Sequence, residues 1–330
     1  MRTLLAHWCY LAPATARLAC TYRQAGLYFR RRALRDLDLP PTILPDPLMH
    51  RRWRHYFGGA GFLCAVFCQL RGKRLRPAEI RRVCLLAALA GFFDDLADQV
   101  CQDDDSGKRW RDNPEHYGRT ADSSGFALHI LQKIYDSLPP EHLEAFKQNL
   151  HRVFNIETAG RQRQGAPVDQ SELGALTAEK GACSVLLFRL LLDHPLADAE
   201  RRALSELGSL IQLADDMFDL WFDRLNGTVT LPTLLLEKND LKQLQDLLER
   251  QVSGTVRAFR QLPVGVYRRE STLRTVHFLV SISRVCLRHY HRLQKKRGTL
   301  PLDNRKAMVV DMARSGHRGQ TVWEVMMNDE

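Results

Sequence analysis

Apolar positions recur at steps of three and four along almost the whole chain, and alternating strand patterns are nearly absent. Between the long amphipathic stretches lie Pro-rich or polar breaks: Pro40-Pro41 through Pro47, Asp103 to Pro114, Pro139-Pro140, His194-Pro195, Asn226 to Pro232 and Gly298 to Pro301. Each has the chemistry of a helix stop. Thr228-Val229-Thr230-Leu231 is strand-like but too short, and too close to Pro232, to count as one. The pattern predicts an all-α protein of about ten helices. Neither an internal repeat nor a low-complexity linker divides it. One domain over residues 1–330 is therefore expected, with a basic helical extension over 1–47 and a capping segment over 305–330.

Two of the apolar runs carry aspartates. The first is Asp94-Asp95-Leu96-Ala97-Asp98; the second is Gln212-Leu213-Ala214-Asp215-Asp216-Met217-Phe218-Asp219, followed by Asp223, with Asp215 121 residues after Asp94. On a helix, i and i+4 share a face, so Asp94 projects with Asp98, and Asp215 with Asp219 and Asp223. In the second run Leu204, Leu207, Ile211, Ala214, Phe218 and Phe222 are expected to form one apolar stripe bordered by the acidic face. A solvated acidic face normally interleaves Lys or Arg, yet no basic residue occurs between Arg202 and Arg224. The first cluster follows the almost wholly apolar Leu85 to Phe93 and is expected to end its helix, where carboxylates oppose the macrodipole unless something neutralises them. Hard oxygen ligands in twos and threes suit Mg²⁺, which is commonly completed by substrate phosphate oxygens.

Composition narrows the classes. With 330 residues, 45% hydrophobic and 26% charged, the chain builds a large core and is neither disordered nor fibrous. No apolar run reaches the roughly 18 residues of a membrane span, and Gly58 to Leu70 and Val83 to Phe93 read as buried helices. His7 and Pro13 interrupt the only stretch that imitates a signal peptide, so a cytoplasmic location is expected. The eight cysteines form no CxxC and read as reduced core thiols. The net charge of +10 is uneven: residues 1–82 hold 16 Lys/Arg against 4 Asp/Glu, leaving 32 against 34 in the remainder. Clusters such as Arg30-Arg31-Arg32 and Arg51-Arg52-Trp53-Arg54 suit peripheral contact with an anionic membrane surface, and nucleic acid is not the expected partner.

The paired motifs resemble those of the class I isoprenoid synthase superfamily, over about Arg71 to Met312. Asp94-Asp95-Leu96-Ala97-Asp98 is similar to its first DDxxD motif, and Gln212 to Asp219 to the QxxDDxxD of prenyltransferases. Gly227 to Pro232 resembles the turn that follows the latter. Asp215, Asp219 and Asp223 also match the DxxxDxxxD rhythm of the squalene-synthase-like branch. The resemblance implies a single-domain helical bundle around a central cavity. It implies three Mg²⁺ ions bound with the diphosphate of a prenyl diphosphate, held by Asp94, Asp95, Asp98, Asp215, Asp216, Asp219 and Asp223. Lys180 and Gln212 would bind the diphosphate. Ala90, Gly91, Phe92, Phe93, Phe188, Phe218 and Phe222 would line the cavity, the aromatic faces stabilising a carbocation. Homodimers are common among helical enzymes of this kind.

Departures from the motifs bear on the substrate. Gly72-Lys73-Arg74-Leu75-Arg76-Pro77 looks like the GKxxRP segment of chain-elongating enzymes, but only 17 residues separate Arg76 from Asp94, room for one helix where those enzymes need two. Arg76-Pro77-Ala78-Glu79 reads equally as a helix start. A terpene-cyclase NSE motif is also missing. By the same resemblance, the small residues Ala87, Ala88, Ala90 and Gly91 one turn before the first motif imply room for a tail of three or more isoprene units. On the helix bearing Arg284, Arg288, Tyr290 and Arg292, no adjacent Arg-Tyr pair of the diphosphate-sensing kind occurs, because His289 intervenes. The expected function is a Mg²⁺-dependent terpene synthase of the non-standard, squalene-synthase-related kind, with a prenyltransferase as the alternative. A non-catalytic helical protein docking on membrane or nucleic acid is the third class. A di-iron carboxylate protein is discounted, since the chain has no Glu-x-x-His.

Overall fold

The computed structural model describes residues 47–102, 123–162 and 169–310, with isolated positions 16, 20, 23 and 27; the side chains of 47–52, 54, 55, 91–102, 123–126 and 160–162 fall outside that description. The extension expected over 1–47, the Asp103 to Pro114 break and most of the 305–330 segment also lie outside it. Every regular element among the described residues is a helix. In chain order these are α1 (Pro47–Leu70), α2 (Pro77–Gln102), α3 (Ser123–Ser137), α4 (Pro140–Gln162), α5 (Gln170–Leu190), α6 (Asp198–Phe218), α7 (Leu220–Asn226), α8 (Leu231–Glu237), α9 (Leu241–Arg260), α10 (Val266–Arg297) and α11 (Arg305–Met308). None is long and apolar enough to cross a membrane.

Two compact units emerge, and neither is a continuous stretch of chain. One holds residues 15–158 and 186–196, the other 1–14, 159–185 and 197–330. In the former, α2 packs on α1 and α3. Trp53, Phe67, Leu85, Ile130, Ile134, Phe146 and Phe154 are fully buried, each such side chain contributing about 1.5–3 kcal/mol. The two runs read as buried helices, Gly58 to Leu70 and Val83 to Phe93, are buried wherever their side chains are described, apart from a few half-exposed positions on α1 and Ala90. At the end of α1, Gly72 takes φ 68°, and main-chain bonds from Lys73 N to Cys68 O and Gly72 N to Gln69 O close the helix, both at 2.8 Å.

α2 begins as its sequence suggests. Pro77 opens the first turn, and the Glu79 carboxylate reaches back to accept Arg76 N at 2.7 Å. Glu79 also accepts Asp193 N at 2.9 Å, from just beyond α5. Arg82 donates to the Ser137 carbonyl and to the Asp193 carboxylate. Arg189, fully buried, donates to the carbonyls of His194 and Pro195 at 3.0 and 3.1 Å. These bonds satisfy the charges that the corner buries.

In the other unit α6 is central, packed by α9, α10, α8 and α7. Leu204, Leu207, Leu210, Leu213 and Met217 face the interior. α9 presents Leu244, Leu248, Val252 and Phe259; α10 presents Leu273, Val276, Val280 and Cys286. Asp240 caps α9 by accepting Gln243 N at 2.9 Å. The Asn226 to Pro232 break is a tight connection: Gly227 ends α7 at φ 70°, and Thr230 with Thr233 forms the box that starts α8.

Candidate active site

The aspartates of the second motif straddle a helix break. α6 stops at Phe218, Asp219 adopts φ −88° and ψ 2°, and α7 starts at Leu220. The four-residue bonding rhythm survives the break, because Asp219 N donates to Asp215 O at 2.9 Å and Asp223 N to Asp219 O at 2.8 Å. The expectation of one uninterrupted helix is corrected, while the i, i+4 relation of Asp215, Asp219 and Asp223 stands.

The apolar stripe is also rotated from its expected phase. Ala203, Leu204, Leu207, Leu210, Leu213 and Met217 are buried, whereas Ile211, Ala214 and Phe218 are half-buried and Phe222 is 38% exposed. Asp215 and Asp219 are exposed, Asp223 is half-buried, and Asp216 is buried. Gln212 donates its side-chain amide to Asp216 Oδ1 at 2.8 Å, so its contact here is with an aspartate of its own motif.

Lys180 comes from α5, carried there by a close helix crossing. A Cβ on Gly181 would lie inside the Gly208 carbonyl and 2.7 Å from Gln212 Cβ; a Cβ on Gly208 would collide with Gly181 in turn. Only two glycines facing one another permit such an approach. Ser209 Oγ donates to Ala178 O at 2.9 Å beside the crossing.

Burial raises the Asp223 carboxyl to about 7, and the charges of Asp216, Asp219 and Asp215 push the same way while Lys180 opposes them. Asp219 is raised too, by loss of hydration from the protein behind its exposed edge, with Lys180 again opposing. The carboxylates of Asp215, Asp216 and Asp219 act on Asp223 as like charges and Lys180 as an opposite one, and near neutral pH a proton partly offsets the negative charge. The donors of this group are all hard oxygens, the type that Mg²⁺ takes.

Beneath the break lies a residue whose role the sequence did not reveal. Tyr290 of α10 is buried, and its hydroxyl donates to Met217 O at 2.9 Å; Cys286 Sγ approaches the same carbonyl at 3.7 Å. Carbonyls at a helix end need outside partners. Arg284 is engaged elsewhere, with two bonds to Glu249 at 2.8 and 2.6 Å. At the start of α7, Arg305 stacks over Trp221 and Phe222, each 5.5 Å from guanidinium to ring centroid.

The first motif lies on α2, in the other unit. That helix continues to Gln102, so Asp94, Asp95 and Asp98 sit before its end and not at it as expected. Their side chains, with those of Gly91, Phe92 and Phe93, lie outside the described residues. Ala90 and Phe188 are half-buried in that unit.

No protein-family model and no curated protein sequence matches the chain. Among solved structures it is similar to a geranyltransferase from Legionella pneumophila, with a TM-score of 0.51 and 16% sequence identity over 83% of this chain and 99% of that one. The likeness is one of fold: both chains share a helical architecture.

Proposed function

We propose that the protein ionises a prenyl diphosphate with the help of Mg²⁺ and ends the reaction by cyclising or rearranging the carbocation. The observation that carries this reading is the gathering of Asp215, Asp216, Asp219 and Asp223 around a helix break with Lys180 as the cation acting on Asp219 and Asp223. Asp215, Asp219 and Asp223 would hold Mg²⁺, joined by Asp94, Asp95 and Asp98, and the metal would stabilise the diphosphate as it leaves. Lys180 supplies a hydrogen-bond donor and a positive charge to the same anion. Gln212 orients Asp216 within the cluster. Phe218 presents a half-buried ring next to Asp219, of the kind that stabilises a cation without attacking it.

A one-diphosphate reaction is favoured by the position of the basic Gly72 to Pro77 segment. Arg76 starts the helix that carries Asp94 eighteen residues later, about 27 Å along the axis at 1.5 Å per residue. Arg76 instead faces Asp193 at 3.7 Å, and Arg71 donates to Pro195 O at 3.4 Å. A diphosphate held there would be remote from Asp94. The second reading, transfer of the prenyl group to another isoprenoid, draws on the fold likeness to a geranyltransferase.

Diphosphate release from geranyl, farnesyl and geranylgeranyl diphosphates, with Mg²⁺ or EDTA, tests the proposal. Mg²⁺-dependent release that is lost in Asp219→Ala and Asp94→Ala is expected, with a cyclic or rearranged hydrocarbon or alcohol in the extract. A folded protein that releases nothing from any of them would refute the ionisation chemistry. A coupled product would select the transferase.

A further inference from the structure

Away from the aspartates, the corner where α1 ends and α2 begins brings together three side chains of a different chemistry. Cys68, Glu79 and His194 present Sγ, a carboxylate oxygen and an imidazole nitrogen within 4.8 Å of one another. Cys68 and Glu79 are wholly buried. The Nε2 atom of His194 is buried without a hydrogen-bond partner, and the Glu79 Oε1 atom lies 3.9 Å away, too far to bond. Such an orphaned nitrogen costs stability unless something binds it. We propose that Cys68, Glu79 and His194 bind a thiophilic divalent cation of the zinc class, with solvent in the fourth position at the edge where His194 keeps slight exposure.

Sulfur, nitrogen and oxygen donors in one trio select zinc-like ions over Mg²⁺ or Ca²⁺. Tetrahedral ligation at bond lengths of about 2.0–2.3 Å places donor atoms roughly 3.3–3.5 Å apart, so the trio has to close by up to about 1.5 Å. The surroundings hold it near that geometry. Glu79 is oriented by Arg76 N and Asp193 N, one on each oxygen, and each oxygen retains a lone pair. The backbone of His194 is pinned through its carbonyl by Arg189. Arg82 and Arg76 both face Asp193, which moderates the positive charge that would otherwise repel a cation. Burial lowers the pKa of His194, keeping the imidazole in the neutral form that ligates, and pushes the Cys68 thiol up to about 12, so only an ion with strong affinity for sulfur displaces its proton.

Cobalt titration of metal-stripped protein distinguishes this site from the aspartates, because oxygen ligands give no thiolate-to-metal charge-transfer absorption. One equivalent of Co²⁺ is expected to produce that near-ultraviolet band in wild type, Cys64→Ser and Asp219→Ala. Cys68→Ser should abolish it, and His194→Ala should weaken binding by more than the roughly 10-fold to 100-fold that loss of an outer-shell partner costs. Absence of the band in wild type, or its survival in Cys68→Ser, overturns the site. If the variants do not fold, X-ray absorption of zinc-loaded wild type decides: one sulfur at about 2.3 Å with lighter donors at about 2.0–2.1 Å supports the trio. A shell with no sulfur, or with two, overturns it.

Discussion

Tyr290 donates its hydroxyl to the carbonyl of Met217 at 2.9 Å, two residues before the helix break at Asp219. The bond stands in for one that an unbroken helix would make internally, and so supports the turn that presents Asp219. Tyr290→Phe keeps the ring and removes the donor. A loss of about 1–3 kcal/mol is expected, since a buried carbonyl is left with only the distant thiol of Cys286. Urea unfolding of the purified variant measures it, and an unchanged midpoint would show that the bond contributes nothing.

The crossing of α5 and α6 should tolerate no added carbon. Gly208→Ala puts a methyl against the main chain of Gly181 and Ala182, which cannot rotate away. Destabilisation of about 1–3 kcal/mol or more is expected, accompanied by weaker Mg²⁺ binding because Lys180 and Gln212 flank the contact. Gly254→Ala is the milder control, as its methyl meets only the end of the Glu206 side chain at 3.0 Å. Thermal melts of both variants check the ranking.

Asp223 predicts a pH dependence with a definite sign. Its folded value of about 7 lies above the roughly 3.9 of an unfolded aspartate. Between those values the folded protein holds a proton that the unfolded chain has lost. The contribution of Asp223 to the stability of metal-free protein therefore falls as pH rises through about 4 to about 7, then levels off above the folded pKa. Mg²⁺ should flatten the slope by taking the proton's place, and Asp223→Asn should reduce it. Urea midpoints at several pH values, with and without Mg²⁺, test all three statements. The same pH dependence in wild type and Asp223→Asn would mean that Asp223 is charged throughout.

Lys180→Met removes the cation that lowers the Asp219 and Asp223 carboxyls. Diphosphate release is expected to drop by about 100-fold, with Asp223 titrating still higher. Lys180→Arg should recover part of the rate. Equal rates in all three proteins would remove Lys180 from the site.

Much of the helical layout was legible because Pro and Gly punctuate it. Pro139-Pro140, Asn226 to Pro232 and Gly298 to Pro301 all mark real boundaries. The break at Asp219 was not legible, since Met217, Phe218 and Leu220 are unremarkable inside a helix and the partner that stabilises the turn lies 73 residues away. The same holds for Gly181 and Gly208, each of which reads alone as a weak point in a helix and only together as a contact. Phase explains the misread stripe: Ile211, Ala214 and Phe218 fit the helical period as well as Leu210, Leu213 and Met217, and packing by α9 and α10 chose the latter set. Glu79 was legible as a helix start through Arg76 and Pro77, but its second partner, Asp193 N, comes from 114 residues on.

The split of α5 between two units has a consequence for synthesis. Residues 15–158 emerge from the ribosome well before residues 186–196, which complete their unit. Until that late segment arrives, Glu79 lacks Asp193 N and the Arg82 guanidinium lacks its carboxylate, in a corner built to bury both. The early helices are thus held in an unfinished state while some forty further residues are translated, an interval in which their apolar faces are open to chaperones.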